Sequence, residues 1–192
     1  MAPAGAMHRF RGSFKRPLHY APLTLTTLAS LIPPELNAEV RIIDETAEPL
    51  NLDFEADLVG ITAITGTAPR AYKIADYIRK VKKIPVVLGG VHPSLLPNEA
   101  IKHADAVVIG FAENSWPRLL RDFKEGKMKK FYYMEPDFTL KNKPIPRRDL
   151  LKKERYVTIN TVEAIRGCIH DCNFCAATAV WGRRVCGKIK CF

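Results

Sequence analysis

The chain has 192 residues, 47% of them hydrophobic and 26% charged, and a formal net charge of +10 at pH 7. This is the composition of a folded globular protein with material for one ordinary domain and roughly 50 residues beyond it, and it excludes a disordered tail. No apolar run approaches the ~18 residues a membrane span requires.

Residues 1–20 contain Arg9, Arg11, Lys15 and Arg16 and no acidic side chain. The pattern has something of an organelle transit peptide, but the expectation is an exposed, disordered N-terminal extension. Without the apolar stretch of a secretory signal, the protein is expected in the cytoplasm. Next, "PLTLTTLASLIPP" spaces Leu25, Leu28, Leu31 and Ile32 as a buried helix does and ends on Pro33-Pro34. "AEVRIID" reads as a short strand. "ADLVGITAI" reads as a second strand, continuous enough in its apolar character to be buried on both faces. "PRAYKIADYIRKVKK" places Ala71, Ile74, Ala75, Ile78 and Val81 at intervals of three and four, an amphipathic helix. "IPVVLGG" and "DAVVIG" read as buried strands separated by the short helix "PNEAIKHA". "SWPRLLRDFKEG" is a helix with Ser115 as N-cap, Pro117 in its first turn and Gly126 at its end.

Strands alternating with helices predict an α/β domain over residues 21–126, a doubly wound and mostly parallel sheet. Such sheets bind ligands beyond the carboxyl ends of their strands. The loops there are "ITAITGTAP", "LGGVHPS" and "IGFAEN", whose small residues let a ligand approach the backbone. The buried strand that should open such a sheet has no counterpart in the first 20 residues. Residues 127–155 read as a linker, although "KMKKFYYM" has the character of a strand or hairpin. A further strand pattern begins at "YVTINTVEAI", and residues 156–192 form the last segment.

Charge is divided unevenly: residues 1–126 hold 15 basic and 14 acidic side chains, residues 127–192 hold 15 and 6. A basic half can serve nucleic acid. Here the Lys and Arg are scattered through a proline-containing stretch, with no helical stripe and no interleaved aromatics. A solvated linker beside a site for anionic ligands is the expected reading, and nucleic acid is not an expected partner.

All five cysteines fall within the last 25 residues. Odd in number and closely spaced, they suit a reducing compartment and a metal site better than a disulfide framework. Cys168, Cys172 and Cys175 have the spacing C-x3-C-x2-C. Thiolates are soft ligands for zinc or iron–sulfur clusters. A closed structural zinc site needs four ligands, and His170, Cys186 or Cys191 are available for the fourth, in a spacing that matches no common finger. A [4Fe-4S] cluster on three cysteines instead leaves one iron open to chelation by an amine and a carboxylate.

"RGCIHDCNFC" resembles the signature of the radical S-adenosylmethionine superfamily, including the aromatic Phe174 just before the third cysteine. The resemblance implies that Cys168, Cys172 and Cys175 hold a [4Fe-4S] cluster and that S-adenosylmethionine chelates its open iron, with Phe174 beside the nucleoside. It also implies an electron donor such as a flavodoxin or ferredoxin, and a small-molecule substrate. The upstream domain is similar to the cobalamin-binding, flavodoxin- or Rossmann-like domain of one branch of that superfamily, through "APRAYKIADYIRK", "VVLGGVHPSLLPNEA", "HADAVVIGFAENSWPRLL" and "PIPRRDLL". On that likeness Thr62, Ile64, Gly89 and Gly90 line the cobalamin tail, with Gly110 and Glu113 in the next loop of the rim. The implied activity is radical methyl transfer or a related carbon-centred reaction.

The chain departs from the pattern in three places. Phe111 stands where the family loop usually has an acidic residue. The Asp-x-His-x-x-Gly motif of classical cobalamin domains is absent, as it generally is in this branch, and His92 is expected to be a loop residue rather than a cobalt ligand. Only 17 residues follow Cys175, whereas a radical barrel takes on the order of 200, by analogy with full (β/α)8 barrels. The expectation is therefore a truncated or frame-shifted piece of a longer enzyme, with the first strand and cluster loop of an incomplete barrel. Two other readings stay open: a cobalamin-binding module without radical chemistry, and an enzyme that methylthiolates transfer RNA, whose own N-terminal domain would normally add three cysteines.

Overall fold

The computed structural model describes residues 20–135, 143–163 and 165–187. The expected disorder of the first residues, Cys191 and the side chain of Cys186 lie outside what it describes.

Helix α1, Leu23–Ser30, forms as expected. Its buried side is not the leucine set, however, but Thr26, Thr27 and Ala29. The two threonine hydroxyls donate to the Leu23 carbonyl at 3.0 and 2.8 Å, which satisfies them inside the protein. The expected strand at "AEVRIID" does not form, since residues 38–44 run as irregular, half-buried to exposed chain with no sheet partner among the described residues. Its apolar Val40, Ile42 and Ile43 are each only half-buried.

The sheet consists of β1 (Val59–Thr62), β2 (Val86–Gly89), β3 (Ala106–Ile109) and β4 (Phe131–Tyr133), all parallel and ordered β1-β2-β3-β4. Strands β2 and β3 are central and nearly wholly buried, as their continuous apolar runs predict. Strand β1 is an edge, and its residues alternate between half-buried and exposed rather than being buried on both faces. The fourth strand comes from "KMKKFYYM", within the segment expected to be a linker.

Helices cover both faces. Helix α2 (Ala68–Tyr77) and α4 (Pro97–Ala100) pack on Leu88 and Val107 through Ala68, Tyr72 and Ala100. Helix α5 (Ser115–Lys124) packs on Val87, Ala106 and Val108 through Leu119 and Leu120, with Ile32 and Leu36 beside it. Between β2 and α4 lies the short α3, Val91–Leu95.

Two local details differ from the helical pattern. Helix α2 continues into a π-turn over Ile78–Lys82. A wider turn rotates the residues beyond it off the apolar stripe, so Ile78 is buried while Val81 is 61% exposed. In α5 the N-cap position is held by Asn114, and Ser115 is the first helical residue, fully buried with no hydrogen-bond partner for its hydroxyl among the described residues. Pro117 in the first turn and the left-handed Gly126 (φ 69°) at the end fall where expected.

The last segment is a hairpin. Strand β5 (Ile165–Cys168) pairs antiparallel with β6 (Arg184–Gly187), and α6 (Ala176–Trp181) lies between them. The strand carrying the first cysteine therefore has a neighbour, built from residues that follow the cysteine loop. The main strand starts only at Ile165, and "YVTINTV" before it is irregular apart from one bridge between Tyr20 and Thr158.

Candidate functional site

The carboxyl ends of β1, β2 and β3 form a rim whose three loops are tied together by hydrogen bonds. After β1, Ala63 N–H donates to the Gly89 carbonyl (3.0 Å), and His92 N–H donates back to the Ala63 carbonyl (3.2 Å). Gly90, at φ 98° and ψ −173°, occupies a backbone region open in practice to glycine alone. A Cβ there would stand 2.7 Å from both the Ala63 oxygen and Thr62 Oγ1. The need for glycine at position 90 thus arises from the contact between the first two loops themselves.

The second and third loops are joined by Ser94, whose Oγ donates to the Gly90 carbonyl (2.7 Å) and accepts from Gly110 N–H (2.9 Å). Sequence reasoning passed over Ser94, because a serine in a "HPSLL" helix carries no signal until its two loops are brought together. Gly110 is left-handed at φ 78°, and a Cβ on it would meet Met134 Cβ at 2.8 Å. Thr62 and Gly66 are exposed, Ile64 is 59% exposed, and nothing stands within 4 Å of a Cβ built on Gly66. The β1 side of the rim is therefore open to a ligand, with Gly89 half-buried beside it.

His92 is 7% exposed. Its Nδ1 lies 3.3 Å from Thr65 Oγ1 and its Nε2 3.3 Å from Glu99 Oε1. This is the place of a residue bracing the β1 loop against α4. Its hydrogen bond, helped by Tyr72, holds the Glu99 carboxyl below the usual carboxylate range. Burial, with Glu99 adjacent, pushes the Tyr72 phenol up to about 12. The Tyr72 ring stacks on His103, 4.2 Å between centroids, and His103 Nδ1 meets Asp76 at 3.0 Å.

The β3 side is covered. Phe111 and Glu113 are buried, at 7% and 4% exposure. The Glu113 carboxylate pairs with the Arg166 guanidinium, whose Nε also meets Glu163 at 2.5 Å. Burial raises the Glu163 carboxyl above its ordinary range. The Phe111 ring stacks on Trp181 of α6, 5.4 Å between centroids and 4° between planes, and Arg166 Cζ lies 5.7 Å from the Phe111 centroid. Beside this pair Leu23, Lys143, Pro146 and Val162 help to enclose a small cavity of about 90 Å³. The hairpin with the cysteines is thus docked on the rim through the loop following β3.

Cys168, at the end of β5, is half-buried, and Cys172 and Cys175 are exposed; all three are free thiols. His170 N–H donates to Cys168 Sγ at 3.4 Å, and Cys175 N–H to the Cys172 carbonyl at 3.0 Å. Phe174 is 94% exposed. Among the described residues no three His, Cys, Asp or Glu side chains converge as a metal-holding group. What the loop does offer is three free thiols within eight residues, soft donors of the kind that hold zinc or iron–sulfur clusters.

Residues 26–120 match the family described as B12 binding domain. The chain is 36% identical over 179 residues to bacteriochlorophyllide d C-8(2)-methyltransferase of Chlorobaculum tepidum, covering 90% of this chain and 39% of that protein. It is 31% identical over 194 residues to an uncharacterized methyltransferase of Pyrococcus horikoshii, covering 85% of this chain and 42% of that one. The chain therefore spans about two fifths of the length of these relatives. Among solved structures it resembles the radical S-adenosylmethionine methyltransferase TsrM of Kitasatospora setae, bound to tryptophan and an S-adenosylmethionine analogue. That match has a TM-score of 0.61 at 18% identity and covers 88% of this chain and 40% of TsrM. The sheet domain accordingly has the α/β, Rossmann-like B12-binding fold, and the chain is homologous to methyltransferases.

Proposed function

We propose that this chain is the cobalamin-holding and cluster-holding part of a radical S-adenosylmethionine methyltransferase acting on a small molecule. The observation that carries the reading is a juxtaposition: a loop bearing three free thiols is docked on the rim of a B12-binding fold. Thr62, Ile64, Gly89 and Gly90 would hold cobalamin on the open β1–β2 side, with Gly110 and Glu113 bounding the covered side. Cys168, Cys172 and Cys175 would hold a [4Fe-4S] cluster, and the exposed Phe174 ring would pack on the nucleoside of S-adenosylmethionine. Bound together, these groups would supply a transferable methyl group and a hydrogen-abstracting radical that opens a substrate carbon to it. The residues of the chain contribute placement. Gly90 lets two rim loops touch, Ser94 ties the second loop to the third, and Arg166 anchors the cysteine strand over them.

One observation favours a second reading, a cobalamin-binding module without radical chemistry. The three thiols do not converge among the described residues. A single experiment separates the two. Anaerobically purified chain is supplied with iron, sulfide and hydroxocobalamin, desalted and analysed. The first reading expects bound cobalamin together with about four irons per chain and acid-labile sulfide, the iron being lost in Cys172→Ser while the cobalamin remains. Cobalamin without labile sulfide would establish the second reading, and absence of both would overturn the first and the second together.

A further inference from the structure

We infer that Glu113, Phe111 and Arg166 form a clasp by which the third rim loop positions the cysteine hairpin, so that the loop after β3 controls where Cys168 sits. Glu113 and Arg166 act here as positioning residues, through the backbone of β5.

Among the described residues, strands β5 and β6 pair with each other alone, over four residues each. An isolated two-stranded hairpin is marginal in water and needs a surface to pack on. The third rim loop provides charge and ring contacts to it. There the Glu113 carboxylate, 3% exposed, pairs with the Arg166 guanidinium, 16% exposed. Burial removes most of the solvent screening that makes exposed ion pairs weak, and it makes the loss of one partner costly. The Phe111 ring completes the grip, one face against Trp181 and the Arg166 cation near it. An acidic residue at position 111 could not stack on Trp181 in this way, which gives the departure from the family pattern a structural role. Arg166 lies two residues before Cys168 on the same strand, and Trp181 closes the helix that begins one residue after Cys175. The clasp therefore holds the cysteine loop at both of its ends.

This arrangement connects the two halves of the molecule mechanically. Gly110 is hydrogen-bonded through its N–H to Ser94, which also holds Gly90. A line of contacts thus runs from Gly90 through Ser94 to the third loop, and through Glu113 to the strand carrying Cys168. The clasp belongs to the chain free of metal and cofactor and does not depend on cobalamin.

Hydrogen exchange read by mass spectrometry on the metal-free chain tests it. In Arg166→Met, the amides of residues 165–168 and 184–187 are expected to exchange at least tenfold faster, while those of Val86–Gly89 in the sheet centre keep their protection. Glu113→Gln is expected to do the same from the other side of the pair. The double variant should be no faster than the more affected single one, as two changes that break one contact are not additive. Because Glu113 is buried in the sheet domain, Arg166→Met decides the matter if Glu113→Gln loses protection in β2. Unchanged hairpin exchange in Arg166→Met, or additive effects in the double variant, would overturn the clasp.

Discussion

Gly90→Ala should destabilise the free protein strongly, in the absence of any ligand. At φ 98° and ψ −173° the backbone of residue 90 costs an L-residue on the order of 1–3 kcal/mol. The new methyl group would also stand 2.7 Å from the Ala63 oxygen and 2.7 Å from Thr62 Oγ1. The Ala63 oxygen is backbone that already accepts from His92 N–H, so it cannot yield without breaking a loop contact. Overpacking of that kind adds about 1–3 kcal/mol, for a total of about 2–6 kcal/mol, a large share of the roughly 5–15 kcal/mol by which a domain is stable. Urea denaturation followed by far-UV circular dichroism measures the loss. Gly66→Ala is the control, since nothing lies within 4 Å of a Cβ there, and it should change stability by no more than about 0.5 kcal/mol. Equal midpoints for the two variants would refute the argument that loop-to-loop packing, rather than a ligand alone, requires glycine at 90.

Two further outcomes follow from the core and its edges. Asp105 accepts a forked pair of hydrogen bonds from Arg79 at 3.0 Å each and a third from Val86 N–H at 2.8 Å, so Asp105→Ala should cost about 1.5–3 kcal/mol in the same denaturation assay. Burial raises the phenols of Tyr72, Tyr132 and Tyr156 to about 12. A raised folded-state value means that the unfolded chain ionises first. Stability is then intact below about pH 10 and is lost as pH rises from there through about 12. Denaturation midpoints across that window should fall less steeply in Tyr132→Phe than in the parent chain, and parallel slopes would contradict the assignment.

Elements with strong periodicity were legible from residues alone. Helices α2 and α5 and strands β2 and β3 each bury a face that their apolar spacing already marks, because a helix or central strand must hide that face wherever it is placed. The strand expected at "AEVRIID" has a good alternation but no neighbour to pair with among the described residues, and pairing is not a local property. For the same reason β1 reads as doubly buried yet lies at the sheet edge, and β4 hides in a segment that looks like a connector. Val81 fits the helical stripe until a π-turn shifts it outward.

The three cysteines stand out in the sequence as soft donors grouped within eight residues, whereas glycines at strand ends are a weaker signal, since tight turns need them anyway. What the tertiary structure alone decides is how these pieces meet. Glu113 and Arg166 are 53 residues apart in the chain, and Phe111 and Trp181 are farther apart still. Nothing in the local preferences of either segment encodes their contact, because a buried ion pair and a stacked ring pair exist only once folding has removed the water between two surfaces.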